Sequence, residues 1–579
     1  MRNYYTISIV LVLITFVFQS CTKGYEDIPL GQQNPIYYVF NPLDSAGVSA
    51  KQYQLNLYLQ ALGTEPYNRF GNGNYLDGAS DDALPSQTGL PDALKLLNGA
   101  VSSFSTVDDI WARSYVTIRS ASVFINNFPV VPLNEKLPNG KSAKPAYIAE
   151  ARFLRAWTYF ELVKRYGGVP LMGDGVRQIT DDVALPRSSF ADCINYIVSE
   201  LDAIKDSLRT QPTITTNTYG RVTQGAAMAL KAKALLYAAS PLYNGGNVDG
   251  VNPLTGYAGF DLNRWKLAAD AAKALIDLKA YSLMPSFIDV FLKQAAPVGT
   301  NSEIIFWRQN GSSTDIEKND GPVGYTSAGS TGNMSVTQNL VDAFPTNTGL
   351  SIADPASGYD ANNMYKNRDP RLKLTVFYNG VLWLNRPVET FNGGLDRPGG
   401  AIQQTKTSYY MRKFMGNFES SGNGQYSSHF KEWPYSRYAE ILLDYAEATN
   451  EFSGTDASVY QVLCDLRKRA GIEPGANNFY GVKQGMTKDE MRAAIQNERR
   501  IEMAFEEQRF FDLRRWKIAD VIYGQPLYGQ DIQKTSSGQL FFNKVIVLQP
   551  VFRNPQMYLY PIPNSEVLKN INMVQNPLW

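Results

Sequence analysis

The stretch Asn497-Glu498-Arg499-Arg500-Ile501-Glu502-Met503-Ala504-Phe505-Glu506-Glu507-Gln508-Arg509-Phe510-Phe511-Asp512-Leu513-Arg514-Arg515-Trp516 lies within a helical block spanning Thr487–Trp516. Glu498, Glu502 and Glu506 stand one turn apart and form a row of carboxylates. Arg499 lies three residues before Glu502, and Arg509 three after Glu506. Charges at such spacings bridge helices or solvate a face. A glycoside hydrolase needs two carboxyl groups about 5–5.5 or 6.5–9.5 Å apart across a sugar. Nothing in the row separates such a pair from a charged helix face.

The same periodicity runs outward from this block. In Arg437–Glu451, Tyr438, Ile441, Leu442 and Tyr445 fall at i, i+3, i+4 and i+7 with charged residues opposite, as an amphipathic helix requires. Ala149–Tyr166, Gln224–Leu242, Arg264–Leu278 and Ser458–Arg469 read the same way. Runs such as Ala226-Ala227-Met228-Ala229-Leu230 mix small and large apolar side chains, so neighbouring helices approach closely, as in tetratricopeptide-type pairs. No strict 34-residue period is visible. From about 280 to 433 the texture changes to turns rich in Gly, Asn, Ser, Thr and Pro. Glu303–Trp307 and Leu372–Phe377 read as short strands, and loops this long are where a rigid scaffold presents a ligand site.

Composition narrows the function. With 55 Lys+Arg against 54 Asp+Glu, the chain lacks the basic excess of a nucleic-acid binder. A lone histidine, His429, which reads as an exposed loop residue, cannot build a multi-His zinc site. No Asp-x-Asp-x-Asp-Gly loop, Cys/His quartet, phosphate-cradling loop or dinucleotide fingerprint occurs, so no metal or other cofactor is implied. Scattered loop carbonyls leave room for structural calcium without indicating it. Of the three cysteines, Cys193 and Cys464 read as small buried side chains. The aromatic load of 8 Trp, 35 Tyr and 28 Phe suits both cores and ligand platforms.

Residues 1–20 read as a signal peptide: Arg2 precedes an apolar run from Ile7 to Phe18, shorter than the roughly 17–25 residues that span a bilayer. Ser20-Cys21 closes the run like a bacterial lipobox, which marks Cys21 for lipidation, with residues 21–33 as a polar leash.

The sequence closely resembles the SusD/RagB family of Bacteroidetes outer-membrane lipoproteins. The resemblance rests on the stretch quoted first and on Ala151-Arg152-Phe153-Leu154-Arg155-Ala156 through Tyr166-Gly167-Gly168-Val169-Pro170. It rests also on Arg437-Tyr438-Ala439-Glu440-Ile441-Leu442-Leu443, Tyr560-Pro561-Ile562-Pro563 and the closing Gln575-Asn576-Pro577-Leu578-Trp579. It implies a mostly helical SusD-like fold with about four tetratricopeptide-like helix pairs as scaffold and a loop-rich binding face with few short strands. The body, 34–579, then divides into a helical part (34–279), a loop-rich binding region (280–433) and a C-terminal helical part (434–579). It further implies a non-enzymatic, lipid-anchored protein on the outer face of the outer membrane, which passes oligosaccharide or polysaccharide to a SusC-like TonB-dependent transporter. A peptide ligand, as in the RagB branch, is the alternative within the family, and a glycoside hydrolase the alternative outside it. Glu26-Asp27 looks like a surface-export signal of this phylum, and Asp81-Asp82 like a structural turn of the family.

Sugars stack on flat rings while amides and guanidiniums meet their hydroxyls, so rings and polar groups should interleave. Three segments do so. The first holds Tyr67, Arg69, Asn72, Asn74 and Tyr75; the second Trp307 and Arg308 with Tyr325 and Asn333; the third Tyr359, Asn362, Asn363 and Trp383. Trp111, Trp157, Trp265 and Trp516 stand in helical contexts that resemble the family's and are expected in the core.

Overall fold

The computed structural model describes residues 35–579 apart from 64–65, 72, 178–179, 182–183, 211–217, 294–300, 327–328, 400–403 and 417–423. The signal peptide, Cys21, the leash with Glu26-Asp27, and Asn72 lie outside the described residues.

The scaffold is a succession of helices, each packed on the next: α1 (Val48–Leu62), α2 (Trp111–Asn127), α3 (Lys144–Tyr166), α4 (Phe190–Ile204), α5 (Gln224–Ala239), α6 (Asn263–Asp277) and α7 (Tyr438–Ser453). Helix α7 also packs against α8 (Ala457–Ala470) and α9 (Lys488–Glu502). The starts are written in the sequence. The Ser189 hydroxyl accepts from Asp192 N at 3.0 Å, Thr223 from Ala226 N at 3.2 Å, and Thr487 forms a capping box with Glu490. Along α5 the alanines 226, 227, 229, 232, 234 and 238 are buried, and Tyr237 sets its ring edge-on to Phe160 at 5.2 Å. Small residues thus bring the helices together, and aromatic rings fill what remains. Trp111, Trp157, Trp265 and Trp516 are all buried, as are the free thiols of Cys193 and Cys464.

The strands are short and pair locally. β1 (Ala83–Pro85) pairs antiparallel with β3 (Met334–Val336), and β2 (Ile304–Arg308) with β4 (Trp433–Arg437). β5 (Leu527–Lys534) and β6 (Leu540–Leu548) form a hairpin. The loop-rich region has its own apolar core, to which the early loop contributes Tyr67 and Tyr75. Leu372–Phe377 is not one strand: Pro370–Thr375 is helical, because the Asp369 carboxylate caps Arg371 N at 2.8 Å and Pro370 fits a first helical turn; only Val376–Phe377 is extended.

The stretch that decides the fold is also broken. Helix α9 ends at Glu502, and α10 (Arg509–Arg515) starts after a turn in which Phe505 and Glu507 take left-handed φ values of 63° and 57°. The buried Asp77 carboxylate holds that turn by accepting from Phe505 N at 3.1 Å and Glu507 N at 3.0 Å. A break here lets side chains from both sides of the turn enter one buried cluster of charges. Arg437 on β4 donates to Glu506 (2.7 Å), Glu303 (2.7 Å) and Glu502 (2.8 Å). Glu502 also accepts from Arg371 and Arg469, Glu498 from Arg467, and Glu506 from Lys413. Arg499 pairs with Asp444 and Asp512 rather than with Glu502, and Arg509 with Asp81. Burial raises the Glu502 carboxyl, but Arg469, Arg437 and Arg371 outweigh burial and hold it well below the carboxylate range.

Candidate functional site

Most rings singled out from the sequence are inside the loop-region core. Tyr75 has no exposed surface, stacks on Phe414 at 6.3 Å and tilts against Trp433 at 5.9 Å. Trp383 is equally buried: its Nε1 donates to Gly416 O at 3.2 Å and its ring meets Tyr325 and Phe377, each at 4.8 Å. Tyr325 donates its hydroxyl to Trp383 O and Arg386 O, and the Arg386 guanidinium lies 3.9 Å from its ring centre. Tyr67, Asn74 and Asn333 are buried as well. A ring sealed on both faces offers a sugar nothing to stack on, so the expectation that these six residues line an open glycan platform is corrected. The reason is local: short loops without regular structure need their own core, and these rings supply it. Arg69 is likewise a structural cation, bound to Glu507 (2.5 Å from Nε) and Asp108 (2.9 Å).

Trp307 and Arg308 end β2 and enter a different setting. Together with Tyr219, Gly220, Arg221 and Gln309 they line a groove of about 420 Å³ whose opposite wall is the outer face of α1: Gln52, Leu55, Asn56, Tyr58, Leu59 and Leu62. Leu55 and Leu59 are 45% and 61% exposed, an apolar face of α1 that no helix covers. Trp307 is a buried part of the floor, its ring tilted against the half-buried Tyr219 at 5.1 Å. The Trp307 Nε1 proton has no acceptor. Arg308 is half-buried and donates only to neutral oxygens, Gly63 O and Asn310 Oδ1 (3.1 Å). Arg221 donates to Gln54 Oε1 and Glu150 Oε2, both at 2.7 Å. No carboxylate is among the described residues that line the groove. It therefore joins an aromatic floor, an apolar wall, side-chain amides and a guanidinium free of carboxylates.

Asn362 and Asn363 line a second cleft of about 710 Å³ with Tyr365, Asn379, Asn543 and Phe541, the last 47% exposed on the β5–β6 hairpin. Tyr359 is half-buried, 5.4 Å from the Arg368 guanidinium. The sequence reading missed Tyr58 and Tyr219 of the groove and Phe541 of the cleft. The signal for the first lay in α1, where Leu55 and Leu59 repeat on a face that a fully packed helix would bury. His429 pairs with Ser313 in a two-residue bridge, correcting the loop assignment. Among the described residues no group of three or more His, Cys, Asp and Glu gathers as a metal site, and no helix is long and apolar enough to cross a membrane.

The carboxylate row is not arranged for chemistry. Glu498 and Glu502 have no exposed surface and Glu506 is 4% exposed, and each is bound to guanidinium or ammonium groups. A general acid must reach the glycosidic oxygen, and these side chains reach only their partners.

Comparison with known proteins agrees with this architecture. The family model described as the SusD family matches residues 294–579, and one described as starch-binding associating with outer membrane matches residues 81–236. A SusD-like protein of Formosa agariphila is 26% identical over 488 residues, covering 83% of this chain and 80% of its own. Among solved structures, a SusD-like protein from Bacteroides fragilis aligns at a TM-score of 0.74 with 25% identity, over 94% of this chain and 100% of its own. A SusD-like carbohydrate binding protein from the same species aligns at 0.70 with 24% identity, over 91% of this chain and 99% of its own.

Proposed function

From the premise that the chain belongs to the SusD/RagB family, we propose that it is a lipid-anchored glycan-binding protein of the outer cell surface that captures oligosaccharide or polysaccharide without cleaving it. It then hands the glycan to a SusC-like TonB-dependent transporter. The observation that carries the reading is the groove between α1 and Trp307–Gln309, where aromatic, amide and guanidinium groups meet in the combination saccharides need. The carbohydrate-binding description of the Bacteroides fragilis protein that shares the fold supports it. Stacking on one ring contributes on the order of 1–3 kcal/mol, by analogy with bases on aromatic side chains. One or two such contacts with a few hydrogen bonds give an affinity of about micromolar to millimolar, suited to capture followed by release.

Anchoring through Cys21 follows from the leader, and the description of the model matching residues 81–236 supports an outer-membrane location. The test is a binding screen of the purified protein against neutral and acidic glycans and against peptides, repeated with Arg308→Gln/Gln309→Ala. Glycan binding that weakens in the double variant supports the reading; a peptide-only profile would replace it with RagB-type peptide uptake. Reducing ends accumulating above the blank on prolonged incubation would return hydrolysis to consideration. Cys21→Ala should move the protein from the membrane to the soluble fraction.

A further inference from the structure

Asp320 ends the short helix Asp315–Asp320 and has no exposed surface, yet neither of its carboxylate oxygens has a hydrogen-bond partner. Most interior carboxylates are paired with cations, as throughout the cluster around Arg437, and Asp77 is met by backbone N–H groups, because an uncompensated buried charge is strongly unfavourable. Other orphaned oxygens belong to the same neighbourhood. Asn74 spends its amide N–H on Gly71 O at 3.1 Å, and Asn333 on Thr331 Oγ1 at 3.0 Å; the Oδ1 atom of each is left without a donor. Both are at least nine-tenths buried, Asn74 being 0% and Asn333 3% exposed.

Backbone contacts bring these residues together. Gly73 is packed so tightly on Asp320 that a Cβ there would lie 2.8 Å from Oδ2 and 3.2 Å from Oδ1. Asn333 N donates to Asn319 O at 2.8 Å, which docks the 330–333 loop beside the same carboxylate. Early loop, helix end and return loop therefore meet around an acidic group that the protein itself does not neutralise.

We infer that Asp320, Asn74 and Asn333 hold a structural calcium ion. Carboxylate and amide carbonyl oxygens are hard ligands, and calcium accepts six to eight of them in irregular geometry. Magnesium keeps much of its water, which suits a dry interior poorly, and the softer metals need imidazole or thiolate, which this set lacks. Lys431 pairs with Glu317, whereas no cation among the described residues pairs with Asp320, which leaves that carboxylate to the metal. The ion joins three segments that carry little regular structure and so rigidifies the loop-rich half.

The test uses the full-length chain. Elemental analysis after purification in calcium is expected to find close to one calcium per molecule, and the melting temperature should rise by several degrees in calcium relative to EGTA. Asp320→Asn should lose both the bound calcium and the difference between the two melts. Asn333→Ala, which removes one neutral ligand, should keep the melt in EGTA and need about tenfold more calcium for the same rise. Should Asp320→Asn fail to fold, the wild-type pair of melts and Asn333→Ala decide the matter. A wild-type protein without calcium whose melt ignores calcium and EGTA overturns the site, as does an unchanged calcium response in Asn333→Ala. An equal rise in magnesium overturns the choice of calcium.

Discussion

Arg437 and Arg308 sit at opposite ends of the same two-stranded sheet, Arg437 opposite Ile304 and Arg308 opposite Trp433, yet their surroundings have nothing in common. Arg437 has no exposed surface and is bound by Glu303, Glu502 and Glu506. Arg308 is half-buried and touches only a carbonyl and an amide oxygen. A related contrast holds for the rings: Tyr75 and Trp383 are enclosed by other rings, whereas the half-buried Tyr219 lines the groove over the buried Trp307. Residue type alone therefore does not mark a binding group in this fold. A charge or ring whose partners are all internal is scaffold, and one left with neutral or missing partners is available to a ligand.

The largest effects should come from the enclosed end. Arg437→Ala removes the cation shared by three buried carboxylates, each of which keeps one other cationic residue or two, and unfolding monitored in urea should show a loss of about 3–5 kcal/mol. A loss below about 1 kcal/mol would mean that the cluster is wetter than its burial indicates. Tyr75→Ala, which removes a ring from the core, should cost about 3–5 kcal/mol as well and affect glycan binding only through that loss of stability.

Acid probes the same cluster through its titration. The Glu498, Glu502 and Glu506 carboxyls, raised by burial but lowered further by their guanidinium and ammonium partners, are depressed in the folded state. Their stabilisation is complete above the unfolded carboxylate pKa of about 4.3 and is lost as pH falls through the depressed folded values. Asp444 opposes this trend: burial pushes its carboxyl up to about 6 despite Arg499, with Glu440 adding to the rise. Asp444 therefore destabilises the fold as pH rises from about 4 to 6. Melting curves from pH 3 to 7 should show a net fall on the acid side, and Asp444→Asn should stabilise the protein near pH 7 relative to pH 4.

At the open end the expectation reverses. Arg308→Gln/Gln309→Ala should leave the melting temperature within about a degree, since surface changes alter stability by less than about 0.5 kcal/mol. The same change should weaken glycan binding about tenfold, a loss of about 1.4 kcal/mol read by calorimetry. A shift in stability without a change in affinity would erase the distinction between the two ends. The smallest effect is expected at the second cleft, where Asn362→Ala/Asn363→Ala should change affinity by less than about threefold if glycan occupies the α1 groove alone.

Much of the scaffold was legible in the chain. The alanine-rich face of Gln224–Leu242 and the period of Arg437–Glu451 depend on neighbours a few residues away, and each appears as a helix with ends displaced by a few residues. The break at Met503–Gln508 was not legible, because the group that holds it, Asp77, lies more than four hundred residues earlier in the chain. Of the residues singled out from the sequence, Trp307 and Arg308 line the groove, while Tyr75, Tyr325 and Trp383 carried the same interleaving of rings and amides and are enclosed. Tyr58 and Tyr219 gave no signal of partnership, since they come from distant segments that meet only in the folded protein.

By itself, then, the sequence determined the helical scaffold, the motifs that identify the family and the loop-rich stretch between them, because periodicity and capping are local. Which aromatic rings face solvent, which arginines are neutralised and where orphaned oxygens gather around Asp320 were decided only by tertiary structure. Burial and charge compensation are properties of neighbours in space, and the order of residues along the chain does not list those neighbours.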